Sequence, residues 1–553
     1  MQQSGGLLLA AGLDDGNALI RSLREQMQTN PSSPTTKRPI LSDWSFLLWR
    51  RIAARTSAAG EGPSAPIFYF CIRIHPQNRR KPRVQNIEIS SLLCYDTYIS
   101  SFPYLKLRKE GIAVEVTLAQ MLESRERRAS RQIAMNREFG KPLISFSMNI
   151  PGPVKDSPLI RRGFYAGCAM LDAQLTHVLH REITEALTGC EAMYVVDLDP
   201  LALKTITTAI EDNHGLGRLF DMDVIGPDLH KLDRETVDGG PRNCIVCGAP
   251  GRGCASRRIH SVEQLQAATR QILESHFQAE DAARIGALAV QSLLEEVCTT
   301  PKPGLVDRRN SGSHKDMDIT TFHASAGALA PYFRSCAAIG METAGAPAGE
   351  TFLLLRQAGL QAERDMYKAT GGVNTHKGAI FTLGLLCGAA GRLWKPESIW
   401  RENPLFSEVA AMTAEAMEAD WKQGGNTVGH RLYVENGIRG IRGEVAQGLP
   451  SLANIGLPAF RACLEQGKGR NEAGVITLLH LIARVEDTNM IARGGLDLAR
   501  EGAVRARQLL KQLPTTEQVE ELDNWFIQRN LSPGGCADLL AAVYFVHSLT
   551  AVD

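Results

Sequence analysis

Two regions of the sequence concentrate the residue types that phosphate and sugar chemistry needs. In the first, His214-Gly-Leu-Gly-Arg-Leu-Phe-Asp-Met-Asp-Val-Ile225 carries Asp221 and Asp223 two positions apart. On a strand, alternate side chains share a face, so both carboxylates project together while Phe220, Met222 and Val224 turn into a core. Such a pair can hold Mg2+ against phosphate oxygens; on a solvated edge strand it does no chemistry. Arg218, in the glycine turn before it, can neutralise the same phosphates. Upstream, Asn149-Ile-Pro-Gly-Pro-Val-Lys-Asp156 ends a strand in a rigid turn. That turn sets Lys155, Arg161 and Arg162 at a loop suited to anion capture, or merely to solubility.

Between these and the second region lies Cys244-x2-Cys247-x6-Cys254-x5-His260. Four such ligands within one short loop suit Zn2+, although the six-residue gap is not that of a standard finger. A redox pair and three unligated thiols are the competing readings.

The second region has five blocks. Thr300-Pro-Lys-Pro-Gly-Leu-Val-Asp307 leads into Gly312-Ser-His-Lys-Asp-Met-Asp318 and Phe322; then come Thr370-Gly-Gly-Val-Asn-Thr-His-Lys-Gly378 and Arg442-Gly-Glu444. Glu486-Asp-Thr-Asn489 with Arg493-Gly-Gly495, and Asn530-Leu-Ser-Pro-Gly-Gly-Cys-Ala-Asp538, complete the set. Each reads as a Gly- or Asn-rich loop at a helix end, where backbone N–H groups and the helix dipole favour anions. Lys302, Lys377 and Arg493 suit a polyphosphate. Asp307, Asp316, Asp318 and Asp487 suit Mg2+ or proton transfer, and His314 and His376 suit acid–base work or phosphate binding. Taken singly, Asp307, Asp318 and Asp487 read more readily as helix caps than as ligands. Caps alone do not require His, Lys and Asp together five times.

The elements that must position these groups change along the chain. Residues 1–112 carry 15 Lys and Arg against 8 Asp and Glu and are broken by Pro, Ser, Thr and Gly clusters. They read as a poorly ordered extension or a start codon set too far upstream, with a basic docking arm as the alternative. Residues 113–277 show a helix at 114–131, strands at 142–150, 192–197 and 220–225, and helices at 162–187 and 200–211. This is an α+β domain with a mixed sheet, of nucleotidyltransferase-like type. Residues 278–553 are helical almost throughout, as at 283–298, 352–368, 378–394 and 472–485, which predicts an all-α bundle. The boundary falls inside a helical stretch at 256–297.

The motifs of the first region resemble the citrate lyase holo-acyl-carrier-protein synthase family, over about residues 112–275. The Pro-Gly-Pro-x-Lys-Asp turn, the Arg161-Arg162 pair, the Gly-Arg-Leu-Phe-Asp-x-Asp-Val strand and the cysteine cluster carry the resemblance. That family moves a phosphoribosyl-dephospho-CoA group onto a serine of the lyase's acyl carrier (gamma) subunit with loss of pyrophosphate. The resemblance implies a metal on Asp221 and Asp223 and pyrophosphate held by Lys155, Arg161, Arg162 and Arg218. From about residue 283 onward, Pro-Lys-Pro-Gly-Leu-Val-Asp, Asn-Thr-His-Lys-Gly and Asp-Thr-Asn resemble the triphosphoribosyl-dephospho-CoA synthase family. It joins ATP to 3'-dephospho-CoA and releases adenine. Positive charge on the ribose as adenine leaves calls for a carboxylate near C1, a base and cations on the triphosphate. Asp316, Asp318 or Asp487 is then expected in metal or base work, Lys377 and Arg493 on phosphate, and Lys302, Asp307, His314, Asn374, His376 and Asn489 around the substrate. The chain is therefore expected to be a bifunctional transferase using Mg2+. An N-ribosyl hydrolase, or the same chemistry serving malonate decarboxylase, stands as the alternative.

Bulk properties narrow the partners. A formal net charge of +1 gives no general attraction to nucleic acid or an anionic membrane. Twelve thinly spread cysteines suit a reducing cytosol rather than a disulfide framework. The longest apolar run, 378–393, contains Arg392 and is too short for a bilayer. The apolar patch at 7–11 lacks a preceding basic residue and is followed by Asp14 and Asp15, unlike a signal peptide.

Overall fold

The structure, a computed structural model, describes residues 72–74, 87–89, 114–396, 399–423 and 428–551. Residues 1–106 form a unit of their own. Its described part is two short antiparallel strands, β1 (Ile72–Ile74) and β2 (Ile87–Ile89). The extension expected over 1–112 otherwise lies outside the described residues. Residues 107–553 form the second unit, and all that follows concerns it.

It opens with helix α1 (Leu118–Phe139), started by a Thr117–Gln120 capping box and stopped by Gly140 at φ 61°. Next come β3 (Leu143–Met148), α2 (Pro158–Gln174), β4 (Val178–Thr184), β5 (Glu191–Val196), α3 (Pro200–Asn213), β6 (Phe220–Ile225) and β7 (Lys231–Leu232). The sheet order is β4-β5-β3-β6-β7. The α+β class stands, but the sheet expected to be mixed is antiparallel in every pairing. Strand β4 also replaces the second half of the helix predicted over 162–187. It is an edge strand with one ladder partner and no fully buried residue, so it lacks the alternating apolar pattern that betrays a strand.

The two sheet faces have different work. Phe146, Tyr194, Phe220, Met222 and Val224 face one way and pack on Phe164 of α2 and Leu203 of α3. Gly167 makes this fit possible, because a Cβ there would lie 2.4 Å from the Phe146 ring. On the other face, Leu143, Met193, Val195 and Ile225 are covered by Met135 of α1, at one end only. Ser145, Ser147, Asp221 and Asp223 occupy the rest of that face, where Ser147 registers with Asp221 and Ser145 with Asp223.

After the short helix α4 (Gly251–Arg257), α5 (Val262–Cys298) runs for 37 residues through position 277. Its Leu273 and Phe277 belong to the sheet's core, whereas Ala282 onward belongs to the helical core. Arg162 of α2 strengthens this junction. It forks onto Asp281 at 2.8 and 2.9 Å, lies 4.0 Å over the Phe277 ring, and shares Asp281 with the Trp394 indole N–H.

The remainder is helical: α6 (Ile319–Glu342), α7 (Ala348–Ala369), α8 (Lys377–Arg392), α9 (Glu402–Gln423), α10 (Val428–Asn436), α11 (Gly440–Ala446), α12 (Leu457–Glu465), α13 (Arg470–Ile482), α14 (Thr488–Leu509), α15 (Thr516–Gln528) and α16 (Gly534–Thr550). Helices α8 and α16 are buried along almost their whole length, which is why neither shows a polar face. Small residues set the α6–α8 spacing: a Cβ on Gly340 would lie 2.1 Å from the Gly388 carbonyl oxygen. Among the described residues, no helix is long and apolar enough to cross a membrane.

Candidate functional site

The helical region closes around one cavity of about 820 Å3. Nine of the expected residues line it: Lys302, His314, Asp316, Asn374, His376, Lys377, Asp487, Asn489 and Arg493. All five sequence blocks reach it. Asn374, Lys377, Asn489, Arg493 and Asp316 are exposed at the rim, while Lys302, His376 and Asp487 are buried in the floor.

Helix ends build the floor. Asp487 caps α14 through the N–H groups of Asn489 (2.8 Å) and Met490 (3.1 Å), and its other oxygen accepts the Cys536 N–H at 2.8 Å. One carboxylate thus ties two helix starts together. Burial pushes its pKa up, against three N–H donors that favour the anion. Asp538, in the first turn of α16, accepts from the Ala379 N–H at the start of α8. Burial, then the charges of Glu296 and Asp487, hold Asp538 well above the ordinary carboxylate range. Position 378 must be glycine here, because a Cβ would stand 1.9 Å from the Asp538 Oδ2.

His376 is 3% exposed. Thr375 donates to Ser325 (2.8 Å), and the Ser325 hydroxyl lies 2.7 Å from His376 Nδ1, leaving Nε2 with no partner. Burial, then the charge of Lys302, holds this imidazole neutral, with its pKa lowered to about 3. His314 lies between Ser532 (2.9 Å at Nε2) and Arg493 (3.1 Å at Nδ1). Burial and the Arg493 charge lower it to about 4. Arg493 also donates to the Ser313 carbonyl and to Asn530, so it joins three loops at the rim. Lys377 pairs with Glu363 at 2.7 Å.

Three expected residues take structural positions. Lys302 is 1% exposed and pairs with the Glu296 carboxylate, also donating to the Glu296 carbonyl at 2.8 Å. Asp307 lies outside the cavity lining and accepts from the N–H groups of Lys302, Arg309 and Asn310, shaping the turn. Asp318, also outside it, caps α6 in a capping box with Thr321; the Thr320 hydroxyl, then Thr321, hold its carboxyl down at about 2.

The lining includes carboxylates and cations beyond the expected set: Glu296, Arg439, Glu444, Arg484 and Asp538. Of these, Glu444 and Asp538 close two of the sequence blocks, and Glu296 had a signal of its own. It falls three residues after Leu293 and seven after Ala289 on one helical face, a phase that places it inside. Arg439 and Arg484 fall outside every block and carried none.

In the sheet region, Asp221 and Asp223 share the polar face, as the strand reading required. Burial first, and the Asp223 charge second, raise the Asp221 pKa. Lys231 of β7 reaches Asp223 at 2.7 Å, and the Arg128 charge acts on Asp221. Neither cation was anticipated, because each comes from an element that only the sheet brings near. The expected anion binders diverge. Lys155 donates to the Ile150 carbonyl, Arg161 forks onto Asp156 and pairs with Glu185, Arg162 is engaged by Asp281, and Arg218 donates to the Asn243 carbonyl. Next to this strand, the ligand atoms of Cys244, Cys247, Cys254 and His260 all lie within 4.8 Å of one another.

Two family models match the chain in succession. Residues 116–276 match the family model CitX, apo-citrate lyase phosphoribosyl-dephospho-CoA transferase. Residues 282–553 match CitG, ATP:dephospho-CoA triphosphoribosyl transferase. Protein CitXG of Haemophilus influenzae is 34% identical over 451 residues, 78% of this chain and 96% of that protein. Protein CitXG of Leuconostoc mesenteroides subsp. cremoris is 31% identical over 458 residues, 78% of this chain and 97% of that protein. A 2-(5''-triphosphoribosyl)-3'-dephosphocoenzyme-A synthase of Pectobacterium atrosepticum is 38% identical over 283 residues, 51% of this chain and 94% of that protein. The chain belongs to the CitXG family, transferases that fuse a CitX region to a CitG region.

Proposed function

We propose that the helical region, from about residue 278, joins ATP to 3'-dephospho-CoA, and that the sheet region, 113–277, passes the product to the citrate lyase acyl carrier protein. The observation that carries the first step is the cavity's division of labour. Its rim supplies Lys377, Arg493 and two asparagines to a triphosphate, and its lining includes a carboxyl, Asp538, whose pKa burial raises well above the ordinary carboxylate range, which favours its protonated form. In the reaction the bond from ribose C1' to adenine N9 breaks, and the 2'-hydroxyl of dephospho-CoA forms the new bond to C1'. The hydroxyl proton balances the one adenine takes up. Asp538 is our donor to adenine, and Asp316, exposed at the rim, our choice to receive the hydroxyl proton. Asp487 orders the two helix starts beside them. Thr375 donates to Ser325, which leaves the Ser325 hydroxyl proton for Nδ1; in that tautomer the unpartnered His376 Nε2 carries the N–H and offers a hydrogen bond to a phosphate oxygen.

In the sheet region a serine hydroxyl attacks the phosphorus next to the ribose and pyrophosphate departs in line. Asp221 and Asp223 would hold Mg2+, which would supply charge neutralisation at that phosphorus. Lys231 and Arg128 supplement it. Lys155, Arg161 and Arg218 remain our candidates for the pyrophosphate end; Arg162 is a junction residue. Zn2+ is our candidate at the thiol cluster. The substrates belong to the cytoplasm, where we place the enzyme.

The test is mass spectrometry of apo-carrier protein after incubation with the enzyme, ATP, dephospho-CoA and Mg2+. Asp221→Asn and Asp223→Asn are expected to abolish carrier loading and leave adenine release intact. Adenine release that does not need dephospho-CoA would instead establish a hydrolase and overturn the synthase reading.

A further inference from the structure

We infer that Cys244, Cys247, Cys254 and His260 form a structural zinc site whose task is to hold Arg242 behind the Asp221–Asp223 strand. The positioning half of this inference rests on the transferase reading above. The site itself rests on geometry. The Cys247 and Cys254 sulfurs lie 3.5 Å apart, and His260 Nε2 lies 3.3 Å from the Cys247 sulfur. Tetrahedral zinc with bonds of about 2.3 Å to sulfur and about 2.0 Å to nitrogen has ligand–ligand edges of about 3.5–3.8 Å. The Cys247–Cys254 and Cys247–His260 separations stand close to those edges, and all four ligand atoms lie within 4.8 Å of one another, a spacing suited to one ion.

The backbone is shaped for thiolates. After Cys244 the chain turns back, with the Gly248 N–H on the Cys244 carbonyl (3.0 Å), the Cys244 N–H on the Ala249 carbonyl (2.7 Å), and Gly248 at φ 71°. This turn points the Val246 N–H at the Cys244 sulfur, 3.5 Å away. An N–H aimed at sulfur favours the thiolate that a metal requires. The segment also lacks a core. Among the described side chains of residues 239–260, only Cys254 is buried; Val246 and Ile259 are exposed. Twenty-odd ordered residues without apolar burial need another cross-link, as small metal-bound modules do.

Arg242 connects this module to the chemistry. Its guanidinium donates to the carbonyls of Gly217 (2.8 Å), Arg218 (3.3 Å) and Phe220 (2.7 Å), the turn that launches β6. Arg218 donates in return to the Asn243 carbonyl, and the Gly251 N–H to the Arg242 carbonyl at 2.9 Å. The knuckle thus brackets the start of the strand carrying both aspartates.

The experiment measures metal in the full-length protein, purified under reducing conditions, by plasma mass spectrometry, and the absorption of the protein reconstituted with Co2+. We expect one zinc per chain and the visible bands of tetrahedral thiolate-bound Co2+. Both should be lost in Cys247→Ser and Cys254→Ser, with adenine release retained by the helical region and the far-UV circular dichroism of the whole chain close to that of the parent. Zinc-free reduced protein that gives no Co2+ bands, or a Cys247–Cys254 disulfide in their place, overturns the site. For the positioning role, Arg242→Ala should keep its zinc and lower kcat for carrier loading by about 100-fold without raising KM for the carrier protein. Unchanged loading overturns that role while leaving the metal measurement to decide the site on its own.

Discussion

Lys302→Met separates two roles for a residue that the sequence offers as a phosphate ligand. In the structure its ammonium is 1% exposed, paired with the 4% exposed Glu296 and bonded to the Glu296 carbonyl. Removing one member of a buried pair leaves the other charge unsolvated, a loss of about 3–5 kcal/mol. Each kcal/mol shifts the midpoint of a domain of 150–250 residues by about 2–4 °C, so Tm should fall by roughly 6–20 °C. Burial already raises the Glu296 pKa, so proton uptake by the orphaned acid will hold the loss toward the lower end of that range. Calorimetry at neutral pH reads the shift, and adding Glu296→Gln should recover most of it, because the double variant buries no charge. A second reporter sits nearby. The Lys302 charge helps depress His376, so the His376 imidazole in Lys302→Met should titrate at a higher pH by NMR. An unchanged Tm combined with a raised KM for ATP would refute this reasoning and return Lys302 to the triphosphate.

Gly378→Ala should cost adenine release about 100-fold or more, because its Cβ meets the Asp538 carboxylate at 1.9 Å, while carrier loading from preformed precursor stays intact; full synthase turnover would remove Asp538 from the reaction. Asp538→Asn should likewise lower adenine release by about 100-fold or more, and the residual rate should lack the alkaline limb, where the raised carboxyl loses its proton. His376 has a folded pKa of about 3 against about 6.5 unfolded, so its contribution to stability is complete above about pH 6.5 and lost as pH falls toward 3. Tm measured across that window should therefore drop less steeply in His376→Asn, and an identical slope would refute the assignment. Asp281→Ala should destabilise by several kcal/mol, since it leaves Arg162 and the Trp394 N–H without their shared acceptor; a Tm within 1–2 °C of the parent, on the order of the change for a neutral surface substitution, would show that the junction is not held there.

Local pattern determined much of this protein. Strand β6 occupies residues 220–225 as its alternation required, with both aspartates on one face, because a period of two needs no distant partner to be read. Most of the block residues were recognisable at helix ends for the same reason: Gly, Asn and Asp chemistry at a terminus is local; Arg442-Gly-Glu444 instead lies within α11 and Arg493-Gly-Gly495 within α14, so their reading as loops is corrected. Edge strand β4 was hidden inside a helical reading, because its exposed side chains bear no record of the single neighbour it pairs with. Spacing could not tell Asp487 from Asp318. Both cap helices, yet only Asp487 stands where a second helix start, at Cys536, meets it in the cavity floor. Arg161 and Arg162 are neighbours in sequence but point into different environments, one toward Asp156 and the other across the junction to Asp281. Sequence alone determined the residue types, the predominance of helix after residue 278 and the Asp221–Asp223 face, since each is written in local pattern. Only the tertiary structure decided which charges meet, because burial and pairing are set by elements up to a few hundred residues apart.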